Sequence, residues 1–350
     1  MTTDHRLPSR FACAMLLALG ACSSLPSGDG SRPLTPEEIE YQRRLENYSR
    51  EPLDASGRAQ LMVKLDRTLS IWGRTNVEQL GSEDRKVVDN LEEVLERDVY
   101  QNFDAVLDVY ANGDPEQRLV AAAALGFCRL KEPDDPGLRD DFRSRWPPVY
   151  PRAVEALVRG LDSDQPVFVQ NCLLGLWKIG DATTPTAPLV RLLSSDRVEL
   201  RSHAALALST ILTPETGESA IGALLNALYD ADPKVRNHAV SAVIATKHRD
   251  AAGRLAQMLD DPYLLIEANA ARGLADLGDW RNCQYLIDRL DRFMKEKPSG
   301  RSREKTDLDE RRAFISKHLV SALQDLSGKN FGDDMEKWHD WWSERSAGGT

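Results

Sequence analysis

The chain has 350 residues, 41% of them hydrophobic and 29% charged, which is an ordinary soluble mixture with ample apolar material for a core. Its formal net charge of −10 argues against a nucleic-acid partner, because phosphate contacts need a basic surface. The mean hydropathy is −0.44. No apolar run approaches the ~18–20 residues of a spanning helix, so neither a polytopic membrane protein nor a disordered chain fits.

The first 22 residues read as an export signal. Arg6 and Arg10 make a basic start, residues 11–19 (FACAMLLAL) are apolar, and small residues then lead into a cysteine, Leu19-Gly20-Ala21-Cys22. This order resembles the lipobox of bacterial lipoproteins. The resemblance implies that residues 1–21 are removed and that Cys22 carries lipid at the new N-terminus. Several acyl chains would hold such a protein stably where one holds it only marginally. Ser23, rather than Asp, follows Cys22; by the sorting rule of enteric lipoproteins this implies the outer membrane, with the protein facing the periplasm. Residues 22–34 are rich in Ser, Gly and Pro and read as a flexible tether.

Cys13 leaves with the signal and Cys22 is lipidated, so Cys128, Cys172 and Cys283 remain. There is no CxxC and no His/Cys cluster at metal spacing, so neither a metal nor a cofactor is expected. Cys128 and Cys172 fall on the apolar sides of predicted helices and read as core thiols.

Residues 35–98 form a predicted N-terminal helical region. It opens with Thr35-Pro36-Glu37-Glu38, where Thr35 caps, Pro36 suits the first helical position and Glu38 completes a capping box. Leu34 and Ile39 sit where a hydrophobic staple closes. Further helices are predicted near 56–72 and 83–97.

Residues 99–327 carry a repeat. Five segments share one helix face at offsets 0, +3, +7 and +10: Arg118/Ala121/Leu125/Cys128, Val169/Cys172/Leu176/Ile179, Arg201/Ala204/Leu208/Ile211, Arg236/Ala239/Val243/Thr246 and Glu267/Ala270/Leu274/Leu277. Their starts are 51, 32, 35 and 31 residues apart, a period of 31–35 with one insertion. Each follows another apolar helix and a short acidic turn, as in Asp260-Asp261-Pro262. A small residue at +3 lets neighbouring helices approach. This is the pattern of a two-helix unit that buries its faces only by stacking. The expected fold is therefore all-α, an α-solenoid of up to six helix pairs.

The units Asp232-Pro233-Lys234-Val235-Arg236 and Asp114-Pro115-Glu116-Gln117-Arg118 resemble HEAT repeats. That resemblance implies a ladder linking turn acids to second-helix arginines: Asp114, Asp196 and Asp232 with Arg118, Arg201 and Arg236. The ladder is partial, since the second and fifth units lack the Arg.

The 51-residue step marks an insertion at 131–151 that holds Trp146-Pro147-Pro148-Val149-Tyr150-Pro151 and cannot be helical throughout. It reads either as a loop folded back on the solenoid or as a partner-contacting loop built on Trp146 and Tyr150. The stretch 295–305 holds Lys295, Lys297, Arg301, Arg303 and Lys305, and reads as a solvated hinge or a contact to anionic headgroups. In residues 328–350, Gly332 ends one segment, Asp333 caps the next with Glu336 three residues on, and Trp338, Trp341 and Trp342 share a helix face. The ending resembles that of other bacterial HEAT-repeat proteins. It reads as a cap on the solenoid or as an aromatic binding platform.

No catalytic residue is assigned. His203 and His238 read as solvent-facing or capping, no His-Glu dipeptide occurs, and P-loop, GxGxxG and GxSxG motifs are missing. The expected function is a non-enzymatic, lipid-anchored envelope scaffold or adaptor that binds a protein partner. The alternatives are a HEAT-type enzyme or cofactor-binding protein of the bilin-lyase kind, and a purely structural envelope protein.

Overall fold

The computed structural model describes residues 35–48, 55–74, 82–248, 250–296 and 302–347. Leu19, Gly20, Ala21, Cys22, the tether and Leu34 lie outside the described residues, as do the side chains of Lys297, Arg301, Arg303 and Lys305. Among the described residues every regular element is helical.

Three helices come first: α1 (Pro36–Tyr48), α2 (Ala55–Arg74) and α3 (Ser82–Gln101). Six pairs follow. They are α4 (Phe103–Asn112) with α5 (Pro115–Ala124), α7 (Tyr150–Gly160) with α8 (Pro166–Ile179), α9 (Ala187–Leu192) with α10 (Val198–Ile211), α11 (Ile221–Ala227) with α12 (Pro233–Thr246), α13 (Ala251–Met258) with α14 (Leu264–Asp276), and α15 (Cys283–Lys295) with α16 (Ser302–Ser327). The insertion contributes α6 (Pro136–Arg145), and α17 (Met335–Ala347) ends the described chain.

Local chemistry explains where these helices start. The Glu38 N–H donates to Thr35 Oγ1 at 3.1 Å and the Thr35 N–H to Glu38 Oε2 at 2.6 Å, a reciprocal capping box. Asp114 accepts from the Gln117 N–H and Asp232 from the Lys234 N–H, with Pro115 and Pro233 in the first turn. At the other end of α8, Gly180 takes a left-handed φ of +56°, where only glycine escapes a Cβ penalty.

The second helices α5, α8, α10, α12, α14 and α16 pack on one another in succession and form an inner row; each first helix packs mainly on its own partner. Small residues at the +3 positions make this spacing possible: Ala121, Cys172, Ala204, Ala239 and Ala270 are all fully buried. Between the first two pairs the backbones themselves meet. A Cβ on Gly126 would stand 2.9 Å from the Gly175 Cα, and one on Gly175 would stand 2.9 Å from the Ala122 carbonyl oxygen. Helix α2 packs on both α3 and α5, so the open side of the first pair is covered. Trp72 of α2 meets Phe127 edge-on at 5.2 Å, just past α5.

Two details differ from the sequence reading. The insertion is not an extended loop: Asp135 accepts from the Gly137 N–H and starts the ten-residue α6. It folds back on α1, where Tyr41 donates to Asp141 at 2.5 Å and its ring meets Phe142 and Trp146 at 6.3 and 5.9 Å. At the C-terminus the capping side chain is Asp334, which accepts from the Lys337 N–H, and not Asp333; the left-handed Gly332 (φ +56°) sets the cap one residue later than the spacing implies.

Candidate partner-binding surface

Two ladders tie the repeats together. The first lies on the turn side. Arg201 donates from Nε and Nη2 to Asp230 at 2.7 and 3.0 Å, and Arg236 does the same to Asp261 at 2.7 and 3.1 Å. Each arginine also donates from Nη1 to a carbonyl of its own turn, Ser195 for Arg201 and Asp230 for Arg236. Burial disfavours the charged form of Asp230, but Arg201 and the Asp232 N–H outweigh it and hold the carboxyl below its usual value. The ladder acid thus belongs to the following repeat. It is not the acid that precedes the arginine: Asp232 and Asp114 are helix caps, and no ladder bond runs from Asp196. Arg118 makes no carboxylate rung; its Nε donates to the Tyr110 carbonyl at 3.0 Å and its guanidinium lies over the Phe168 ring at 4.8 Å.

In the fifth unit the rung is reversed in sign. Glu267 stands where Arg stands elsewhere and is fully buried, with Arg289 of α15 at 2.8 Å. Burial pushes the Glu267 carboxyl up to about 7, against the pull of Arg289 and Arg311.

The second ladder runs along the inner row and was not foreseen. The side chain at offset +2 reaches back to the +1 residue of the preceding second helix. Asn171 donates to the Leu119 carbonyl at 2.9 Å, His203 meets Gln170 at 3.5 Å, His238 Nδ1 lies 3.0 Å from the Ser202 carbonyl, and Asn269 donates to Asn237 Oδ1 at 2.7 Å. His203 and His238 are therefore partly buried links between repeats, not solvent-facing residues; burial lowers the His203 pKa.

At the N-terminal end of the inner row a groove of about 630 Å³ opens between α2, α5 and α8. Met62, Leu69, Leu119, Val120 and Leu174 form its apolar lining, and Asp66 and Glu116 are its charged residues. Val63, on its α2 side, is 72% exposed. The sequence gives no sign of this groove, because α2 lies outside the repeat.

The aromatic candidates occupy two clusters. Trp146 packs against Phe142 at 5.0 Å as well as Tyr41, and Tyr150 carries the Arg129 guanidinium at 4.9 Å. In α17, which packs on α15, Trp338 is fully buried and its Nε1 donates to the Gly332 carbonyl at 2.8 Å. Trp341 and Trp342 are partly buried beside it, and Trp342 meets Trp280 at 5.4 Å. The three remaining thiols are buried and in no disulfide, Cys172 Sγ lies 3.7 Å from Tyr110 Oη, and burial pushes Cys172 and Cys283 up to about 12. Among the described residues no group of three His, Cys, Asp or Glu side chains is placed to hold a metal, and no helix is long and apolar enough to cross a membrane.

No curated protein matches the sequence. Residues 221–293, which span α11 to α15, match the family model for HEAT repeats. Solved structures of similar architecture include a designed armadillo repeat protein in complex with the peptide (KR)4, at 16% identity, 62% of this chain, 98% of that one and a TM-score of 0.43. Another is the CpcE–CpcF complex of phycocyanin lyase from a Nostoc species, at 16% identity, 68% of this chain, 93% of that one and a TM-score of 0.40. A third is an Escherichia coli protein, YibA, at 16% identity, 89% of this chain, 98% of that one and a TM-score of 0.44. The described residues thus form an all-α solenoid of six stacked helix pairs, and its segment 221–293 matches the HEAT-repeat model.

Proposed function

We propose that the chain is a non-catalytic scaffold or adaptor, anchored through lipid on Cys22 in the bacterial envelope, that binds a protein partner at the N-terminal end of its inner row. The groove between α2, α5 and α8 carries this reading: apolar side chains line it, and both of its charged residues are acidic. That combination suits an extended or helical segment presenting apolar side chains with Lys or Arg beside them. Elsewhere along the inner row the polar side chains at +1 and +2 are engaged in links between repeats, which supports a structural rather than a chemical role for them. The anchor rests on Leu19-Gly20-Ala21-Cys22 behind an apolar stretch, and Ser23 favours the outer membrane facing the periplasm. The tether of residues 22–34 would then set the distance between membrane and solenoid.

Two experiments test the two halves separately. Labelled palmitate should enter the wild-type chain and not Cys22→Ser; equal labelling removes the anchor. A partner recovered with the wild type should be lost with Val63→Asp, a change at a side chain that is 72% exposed and outside the core. Retention of the partner by a folded Val63→Asp chain removes the groove.

A further inference from the structure

A cleft of about 700 Å³ lies between the first two helix pairs, at the turn edge. Arg118, Arg152 and Arg159 line it together with Tyr110, Ser163 and Phe168. Its meaning comes from comparing the rungs of the turn-side ladder. Asp230 and Asp261 hold the third and fourth rungs, and each also accepts the backbone N–H two residues on, from Asp232 and Tyr263, at 2.9 Å. Ser163 and Ser195 occupy the same turn position, because their Oγ atoms accept from Gln165 and Arg197 N–H at 3.2 Å. The second rung is apolar on its arginine side, Val169 against Ser195, so nothing is unmatched there. The first rung is Arg118 against Ser163: the guanidinium is present and its carboxylate is replaced by a hydroxyl.

The other charges around the cleft are matched. Arg159 pairs with Glu155, Arg152 with Asp104 and Asp162 with Arg191, at 2.7–2.8 Å. Among the described residues Arg118 has no carboxylate partner. Arg118 lines the cleft; its Nε is spent on the Tyr110 carbonyl, and its Nη groups make no hydrogen bond among the described residues. The guanidinium is also held in place. It lies on the Phe168 ring, which stacks on Tyr110 at 5.2 Å, and Tyr110 Oη donates to the Ala156 carbonyl at 2.8 Å. A planar guanidinium fixed on an aromatic face loses little freedom when it takes a bidentate acceptor. The cleft wall depends on Gly160, since a Cβ there would stand 2.2 Å from Tyr110 Oη.

We propose that this cleft is a carboxylate-binding site, in which an acid from outside the chain completes the first rung on Arg118 as Asp230 and Asp261 complete the later ones. The site is separate from the groove on the inner row and does not depend on the groove reading. The carboxylate comes from an acidic peptide side chain or from a small free acid.

The test uses the full chain, labelled with nitrogen-15, and three probes: the capped peptide acetyl-Gly-Glu-Gly-amide, its Gln counterpart, and glutarate. Saturable shifts of the Arg118 side-chain signals are expected with the Glu peptide and not with the Gln peptide. Tighter binding of the peptide than of glutarate identifies a peptide source, and the reverse a small acid. The informative variant is Ser163→Asp, which supplies the missing acid internally. It should raise the thermal midpoint and weaken the Glu peptide at least ~10-fold, as loss of a charge-assisted pair does. Arg118→Met should abolish binding. Equal shifts with the Glu and Gln peptides, no shift with any probe, or Glu-peptide binding unchanged in Ser163→Asp would overturn the proposal.

Discussion

Asp261→Asn is the sharpest perturbation of the ladder. The side chains of Arg236 and Asp261 are only 12% and 4% exposed, so the pair is close to dry. Two of its bonds join the guanidinium to the carboxylate, at 2.7 and 3.1 Å. Asparagine keeps an oxygen for the Tyr263 N–H but removes the charge and one acceptor, which leaves Arg236 with its turn carbonyls and the Tyr263 face. Breaking a buried pair at one partner costs ~3–5 kcal/mol. The two carbonyl bonds that Arg236 keeps to Asp230 and Ala231 place the expected loss at the lower end of that range, ~3 kcal/mol. A repeat array is coupled mainly through neighbours, so the loss should be local. Native-state hydrogen exchange should show weakened protection in α12 and α14 and unchanged protection in α5 and α8. A double-mutant cycle with Arg236→Met should return most of the loss as coupling. A loss below ~0.5 kcal/mol, or one spread evenly over all pairs, would refute the view that this rung joins the fourth and fifth repeats.

Three further outcomes are expected. Ala239 is fully buried where α12 faces its neighbours, so Ala239→Trp should cost ~1–3 kcal/mol by overpacking, and an unchanged thermal midpoint would contradict the packing. Trp338 is fully buried and its indole N–H is bonded, so Trp338→Ala should cost ~3–5 kcal/mol, and truncation after Lys329 should lower solubility whatever ligand is present; a truncated chain that melts like the full length and loses only a binding activity would favour the platform reading. The Glu267 carboxyl sits at about 7 when folded against 4.5 in its ordinary state. The folded chain then holds a proton that the unfolded chain has lost between those values, so this group's contribution is greatest below about pH 4.5 and falls by up to ~3 kcal/mol as the pH rises to 7. Denaturant midpoints at pH 5 and 7.5 should show that slope in the wild type and lose it in Glu267→Gln; parallel curves would contradict it.

The repeat was legible because its signal is local. Helical periodicity, Asp-Pro turns and small residues at +3 all fall within a dozen residues, and the second helices lie where those signals place them. The ladder was half legible. Arg201 and Arg236 stood out at offset 0, but their carboxylates lie 29 and 25 residues further on, while the nearby Asp-Pro pairs that drew attention serve as caps. The inner ladder was missed for the same reason, since His203 and His238 find their partners 33 and 36 residues away in another repeat. Helix α6 was hidden by flanking prolines that stop a helix without preventing a short one. The groove beside α2 was invisible because it exists only where a helix outside the repeat crosses the first pair.

The central claim is that a protein partner sits in that groove, and site-specific photocrosslinking in cells that express the chain tests it most directly. A benzophenone side chain at Val63, which faces the groove, is compared with one at Tyr285, which is 41% exposed on the first helix α15. The account predicts a discrete adduct from position 63 that weakens in Glu116→Lys, and none from position 285. An adduct from position 285 alone, or equal adducts from both positions that ignore Glu116→Lys, would contradict it.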